Sequence, residues 1–265
     1  MDEVKIVKEN YDKNSLLEWE RLAGFHFEFE ITKKMLEKHM KKGKVLDIGG
    51  GPGRYSIYLA QLGYDVTLVD LSDGNINLAK QKANEFGVDI KAYQCDARDL
   101  SKLDLGQFDN ILLMGPLYHL FKEEDRAKCV LEAKKHLAKD GVLFASFISL
   151  SAGLNYYLDE CPQNLIYETA LDLFDRMEND ESWSGSAFTE ATFINNIEII
   201  PFFDKLNFKK ITLFGQEGIT ATRLSFLNAC EDKVRELYLN ISLRLCENPQ
   251  YFAYSSHIMY VGKQI

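Results

Sequence analysis

Residues 45–57 read VLDIGGGPGRYSI. A β-favouring run with one acid passes straight into Gly49-Gly50-Gly51-Pro52-Gly53, and a helical pattern starts at Arg54. Glycines at such a junction let the backbone take positive φ and leave no Cβ in the way of an approaching ligand. The helix that follows presents free N–H groups and the positive end of its dipole. At the carboxyl edge of a parallel sheet this turn is the favoured ligand crevice. The loop is therefore expected to bind something polar or anionic.

A dinucleotide site wants G-x-G-x-x-G, because a pyrophosphate rests on the helix N-terminus. Counted from Gly49 the sixth position is Arg54, and counted from Gly51 it is Ser56. The match is partial in either frame, which disfavours a dinucleotide-dependent oxidoreductase. Asp47 lies two residues ahead of the first glycine. A carboxylate facing the ligand there would repel a pyrophosphate and suit an ammonium group. The alternative is that Asp47 braces the loop by accepting backbone N–H bonds.

Outward from the loop, strand and helix patterns alternate. Strands are expected at 44–48, 65–70, 90–94, 108–114 and 141–148, and helices at about 54–62, 73–86 and 123–138. Repeated βα units imply an α/β fold with a parallel sheet and helices on both faces. Ahead of the first strand, Leu16, Trp19, Leu22, Phe25, Phe29, Thr32, Leu36 and Met40 recur at helical spacing, so one long or broken helix is expected. The rhythm breaks near residue 150. Residues 151–205 are aromatic, acidic and helical with no clean strand, and the chain closes on a strand near 208–214, a helix at about 222–247 and a strand at 257–263.

The 265 residues are 46% apolar, enough for one large domain with an insertion, and the net charge is -9. An acidic chain disfavours a nucleic-acid partner. The charged start MDEVKIVKENYDKN has no apolar stretch of signal-peptide length, and Val142 to Leu154 is too short to span a bilayer. The five cysteines are scattered without CxxC spacing, so neither a disulfide scaffold nor a zinc site is expected. The expectation is a soluble, reduced, cytoplasmic protein without a metal, monomeric or homodimeric.

The stretch VLDIGGGPGRYSIYLAQLGYDVTLVDLS resembles the first two motifs of the class I S-adenosylmethionine-dependent methyltransferases. The likeness continues through YQCDARDL and FDNILLMGPLYHL, so that four elements in order cover roughly residues 43–148. It implies a doubly wound, mostly parallel, seven-stranded Rossmann-like sheet with the last strand inserted antiparallel. The implied cofactor is S-adenosylmethionine, with S-adenosylhomocysteine as product. The domain expectation is an N-terminal helical cap (1–42), a cofactor-binding core (43–150), a helical lid insertion (151–205) and the rest of the sheet (206–265).

The resemblance also implies roles. The loop Gly49, Gly50 and Gly51 with Asp47 would bind the cofactor, letting a sulfonium amino-acid nucleoside lie against the strand end. Asp70, with Leu71 and Ser72 after it, would accept the ribose hydroxyls, and Asp96 with Ala97 would take the adenine amino group. Met114 and Gly115 would wall the methyl-transfer site. Tyr11 and Arg21 lie in the N-terminal helix, which is expected to close over the cofactor; Arg21 either grips the methionyl carboxylate, as residues ahead of the first strand do in similar methyltransferases, or pairs with Glu18 or Glu20. His119 is a candidate base, the alternative being a packing or cofactor contact, and Tyr118 is a candidate substrate wall.

Methyl transfer from a sulfonium is an in-line displacement, so alignment and exclusion of water matter more than a triad. No NPPY-like tetrapeptide follows the fourth strand, where Gly115-Pro116-Leu117-Tyr118 stands instead, and a small-molecule acceptor is expected. The rival from another class is a non-catalytic cofactor-binding protein on the same fold.

Overall fold

The computed structural model describes residues 3–24 and 26–265, and the side chains of residues 22–26 lie outside that description. Leu22 and Phe25 of the expected N-terminal stripe therefore fall outside it. The chain begins with α1 (Glu3–Gly24), kinked at Asn14, and α2 (His26–His39). The helical pattern thus starts earlier than the Ser15 boundary read from apolar spacing, because the first turns of α1 pack through Val7 while Leu16 is exposed.

The doubly wound core follows. β1 (Lys44–Ile48), α3 (Arg54–Gln61), β2 (Asp65–Asp70), α4 (Asp73–Glu85), β3 (Lys91–Gln94), β4 (Phe108–Leu113), α5 (Glu123–His136) and β5 (Leu137–Ser149) succeed one another. The strands pair in parallel in the order β3-β2-β1-β4-β5. Val45 to Ile48, Val66 to Val69 and Ile111 to Leu113 are buried without alternation, as strands covered on both faces must be. β5 starts at Leu137, four residues before the expected start at 141.

The insertion departs from the sequence expectation. Between α6 (Leu150–Asn155), α7 (Glu168–Glu178) and α8 (Ile199–Lys205) lies a hairpin, β6 (Trp183–Ser186) and β7 (Glu190–Ile194). β7 runs parallel to β5 through Ile148–Phe193 and Ser149–Ile194, and β6 runs antiparallel to β7. The last aligned pair of β4 with β5 is Leu113–Ala145, so β7 occupies the β5 edge that β4 has vacated. The insertion is therefore not purely helical, and it extends the sheet above the carboxyl ends of the strands.

β8 (Phe208–Gly215), α9 (Leu224–Asn228), α10 (Asp232–Leu245) and β9 (His257–Gln264) complete the chain. β9 lies antiparallel between β5 and β8, as the resemblance implied. The sheet holds nine strands, which is the expected seven plus the hairpin. Aromatic packing seals this half, with Phe203 stacked on Tyr260 at 3.8 Å and 10°.

Gly49 is the tightest point of the loop. Its φ is +72°, and a Cβ there would lie 2.3 Å from Cδ of Pro116, while a Cβ on Gly115 would lie 2.7 Å from the Gly49 carbonyl oxygen. The turns after β1 and β4 are thus in direct contact. Gly49→Ala is expected to destabilise the fold by about 3 kcal/mol, from left-handed backbone strain and the clash. Gly51 has φ +56° but open space around it, its nearest neighbour being Asn75 Nδ2 at 3.9 Å. Gly51→Ala should cost less stability and more cofactor affinity; thermal unfolding and calorimetry on both variants check this contrast.

Candidate active site

Two cavities adjoin at the carboxyl ends of the strands. The first has a volume of about 730 Å³ with its mouth included, the second about 1860 Å³. Tyr11 and Tyr118 belong to both walls.

The first cavity has the glycine loop as its floor, through Gly49 and Gly51. Asp70 and Leu71 from the end of β2, Asp96 and Ala97 after β3, and Gly115 after β4 complete the sheet side. The opposite side is α1, through Val4, Val7, Tyr11 and Glu18. α1 is held there by Asp12, whose Oδ1 accepts Ser72 Oγ–H at 2.7 Å and the Gly74 N–H at 3.2 Å. It thus reaches the N-terminal turn of α4. A Cβ on Gly74 would meet the Asp12 carbonyl oxygen at 2.8 Å, so glycine permits this docking. Arg54 adds to the clasp, its guanidinium lying 5.3 Å from the Trp19 ring and 4.9 Å from that of Phe29.

Asp70 is set by its surroundings. Oδ2 accepts the Gly51 N–H at 2.9 Å, and Oδ1 accepts the Ser72 N–H at 2.9 Å and Asn75 Nδ2–H at 3.2 Å. Burial pushes its carboxyl up, against the pull of these donors. A carboxylate has about four acceptor positions. The free one lies on Oδ2, so Asp70 has room for one further donor. Asn75 offers a second acceptor beside it: it lines the cavity, and its buried Oδ1 has no partner among the described residues. The sequence reading missed Asn75. Its signal was the spacing Ser72-x-x-Asn75 at a helix start, where Ser72 Oγ indeed accepts the Asn75 N–H at 3.1 Å.

Asp96 forms a two-point pair with Arg98, through Nη2 at 2.8 Å and Nε at 3.1 Å. Burial works against its charge, but the Arg98 bonds prevail and hold its carboxyl below the usual range. Asp47 does not face the cavity. It is 2% exposed, lies beneath Gly50 and accepts Ser56 Oγ–H at 2.7 Å. Burial pushes it up to about 7, so it braces the loop as a group that is neutral below that pH and about half ionised at pH 7. Gly50, Ser72 and Met114 also lie outside the wall; Met114 instead accepts the Tyr118 hydroxyl on its carbonyl at 2.8 Å.

His119 stands at the junction. Its Nδ1–H donates to the Glu190 carbonyl at 2.8 Å, which leaves Nε2 to accept the Tyr11 hydroxyl at 3.0 Å. Glu190 belongs to the hairpin, so the insertion fixes the tautomer. Burial pulls the imidazole down to about 4, and it is neutral at physiological pH. Arg21 lines the second cavity, not the first, and its guanidinium forks onto Glu18 at 2.5 and 2.8 Å. The salt-bridge reading of Arg21 is the one the geometry matches.

The second cavity is walled by the insertion and by the turn after β8. Tyr156, Tyr157, Trp183, Phe188 and Phe193 give it an aromatic lining, while Glu217 and His257 lie at its base. Trp183 Nε1–H donates to Asp172 at 2.8 Å, tying the hairpin to α7.

Residues 45–141 match the family model of the methyltransferase domain. Over this core the chain is similar to the class I S-adenosylmethionine-dependent methyltransferases. It is 32% identical over 138 residues to a glycine/sarcosine N-methyltransferase of Aphanothece halophytica, covering 50% of this chain and 52% of that one. It is 33% identical over 157 residues to a ubiquinone biosynthesis O-methyltransferase of Coxiella burnetii, covering 56% and 65%. The chain spans about half the length of the glycine/sarcosine relatives it matches. In fold it is similar to the magnesium protoporphyrin IX methyltransferase of Synechocystis with bound S-adenosylhomocysteine, with a TM-score of 0.61 at 15% identity and 100% of both chains covered. A possible histamine N-methyltransferase of Thermotoga maritima gives a TM-score of 0.62 at 14% identity, covering 97% of this chain and 99% of that one.

S-adenosylmethionine is the cofactor of this class, and the first cavity fits it. The unpartnered Asn75 Oδ1 and the free position on Asp70 await neighbouring hydroxyls, and Gly51 leaves space where a Cβ would stand. Among the described residues no helix is long and apolar enough to cross a membrane.

Proposed function

We propose that the protein transfers a methyl group from S-adenosylmethionine in the first cavity to a small molecule in the second. The observation that carries this reading is the shared wall: Tyr11 and Tyr118 border both cavities. The cofactor, when bound, supplies a methyl group already activated by its positive sulfur. Asp70 and Asn75 would take the ribose hydroxyls, Asp96 and Ala97 the adenine edge, and Gly49, Gly51 and Gly115 the path toward the junction. α1 excludes water from this path, which an in-line displacement needs. The aromatic lining of the second cavity favours an acceptor with an apolar or ring-bearing body. The five free thiols favour a reducing, cytoplasmic setting.

At the junction, Tyr11 directs its proton to His119, so the lone pairs of its oxygen are left for an N–H or O–H of the acceptor. A histidine held near 4 is a weak base. We therefore give His119 the task of positioning Tyr11, and Tyr11 that of orienting the acceptor. Tyr11→Phe should cut turnover at least tenfold while S-adenosylhomocysteine affinity stays within about threefold. The kcat profile of the unaltered protein should show no limb between pH 6 and 7 owed to His119. Such a limb, abolished by His119→Gln, would restore the histidine as the base.

The test of the whole reading is calorimetry with S-adenosylmethionine, S-adenosylhomocysteine and NADH, then release of S-adenosylhomocysteine with a panel of amines, phenols and carboxylates. Binding of the first two with turnover of a panel member is expected. Binding without turnover across the panel supports the cofactor-binding rival, and binding of NADH alone overturns the reading.

A further inference from the structure

We infer that Glu28, Glu217 and His257 form a site for a divalent transition-metal cation at the base of the second cavity. The three residues come from α2, the turn after β8 and the first position of β9, and one donor atom from each lies within 4.8 Å of the others. Glu28 is 6% exposed and Glu217 is 1% exposed. Glu217 meets the histidine through both oxygens, Oε1 with Nδ1 at 2.6 Å and Oε2 accepting the backbone N–H at 3.0 Å, which leaves one acceptor position on each. Glu28 is different: its Oε2 is buried and has no hydrogen-bond partner among the described residues.

Burial and the neighbouring Glu217 push the Glu28 carboxyl up, and a buried carboxyl oxygen with no hydrogen-bond partner is costly; such groups are found neutralised, paired or bound to metal. His257 and Arg21 attract the Glu28 charge from a distance, but neither gives a hydrogen bond to Oε2, and the Tyr118 ring, 6.0 Å from that of His257, gives its hydroxyl to Met114. A cation between the three donors satisfies Glu28 directly. Tetrahedral ligands at about 2.1 Å from zinc lie about 3.4 Å apart, so a set within 4.8 Å closes on the ion with side-chain adjustments of about 1 Å.

Two carboxylates and one imidazole suit Zn²⁺, Co²⁺ or Mn²⁺ better than Cu⁺ or an iron–sulfur cluster, which want thiolates. Three protein donors leave a fourth position open, as in zinc sites that bind substrate. Glu217 and His257 line the second cavity and Glu28 does not, so the open position faces the cavity. There it would take a hydroxyl, carboxylate or amine of the acceptor, a consequence that rests on the methyl-transfer reading. The site itself does not rest on it.

The experiment is titration of ZnCl2 into chelator-treated protein with any polyhistidine tag removed, with CoCl2 as the spectroscopic probe. One equivalent of Zn²⁺ is expected to bind, and Co²⁺ should give visible absorption of a four-coordinate site. Glu28→Gln should weaken binding at least tenfold, and His257→Ala should do the same, while S-adenosylhomocysteine affinity is kept in both. Absence of stoichiometric binding, or affinity unchanged in both variants, overturns the site. Should Glu28→Gln fail to fold, His257→Ala carries the same test. Cofactor binding is read separately, so loss of the metal site leaves the methyltransferase reading standing, and the reverse holds.

Discussion

Replacing Asp70 with asparagine is expected to lower S-adenosylhomocysteine affinity at least a hundredfold. Asp70 ends β2, is 8% exposed and opens onto the first cavity. It organises three donors: Gly51 N–H on one oxygen, and Ser72 N–H and Asn75 Nδ2–H on the other. Asparagine keeps the shape but turns one oxygen into a donor. That NH2 must then face either Gly51 N–H or the pair Ser72 and Asn75, so the loop or the helix start loses its acceptor. The ribose also loses a charged acceptor. A hydrogen bond to a charged group is worth about 1.5–3 kcal/mol, and losing one to the ligand plus part of the loop's order gives about 3 kcal/mol, more than a hundredfold in affinity. Asp70→Ala should lose at least as much. Calorimetry against S-adenosylhomocysteine, with thermal unfolding alongside, separates lost binding from lost fold. Affinity within threefold of the unaltered protein in a folded variant would sink this role for Asp70.

What the sequence disclosed follows a physical rule. Gly49, Gly51, Asp70, Asp96 and Gly115 line one cavity because each sits at the carboxyl end of a strand, and strand ends are readable from local pattern. The strands around them match the expected ranges to within a few residues for the same reason. The two readings of Asp47 stayed open because strand alternation cannot tell which side of a glycine turn a carboxylate takes; the Ser56 hydroxyl, nine residues on in the first turn of α3, holds it under Gly50. The hairpin of β6 and β7 escaped because SGS has weak strand propensity and its aromatic flanks read as part of a helical stretch. The Tyr11–His119 bond spans 108 residues and the Asp12 clasp on α4 spans about 60. No spacing rule reaches that far. The set of Glu28, Glu217 and His257 likewise exists only once α2, the turn after β8 and β9 have been brought together.

Asp47→Asn is expected to change the pH dependence of stability more than any other single substitution in the loop. Burial holds the Asp47 carboxyl at about 7 in the folded chain, against an ordinary value of 3.8. The sign follows from linkage. Below about pH 4 the group is protonated folded and unfolded, and nothing is lost. As pH rises toward 7 the unfolded chain gives up this proton while the folded chain keeps it, so folding is progressively disfavoured. Above 7 the cost is complete, and three pKa units at about 1.36 kcal/mol each set it at roughly 4 kcal/mol. Asparagine carries no such term, and its oxygen still accepts Ser56 Oγ–H. The free-energy gap between variant and unaltered protein should therefore move in favour of the variant by about 3–4 kcal/mol from pH 4 to pH 8, whatever its offset from the new NH2 group. Urea denaturation of both proteins at several pH values measures the gap, since every other titrating group is common to the two. Parallel curves would mean that Asp47 is ionised in the folded chain and braces the loop by charge; diverging curves would mean that it does so as a neutral hydrogen-bonding group.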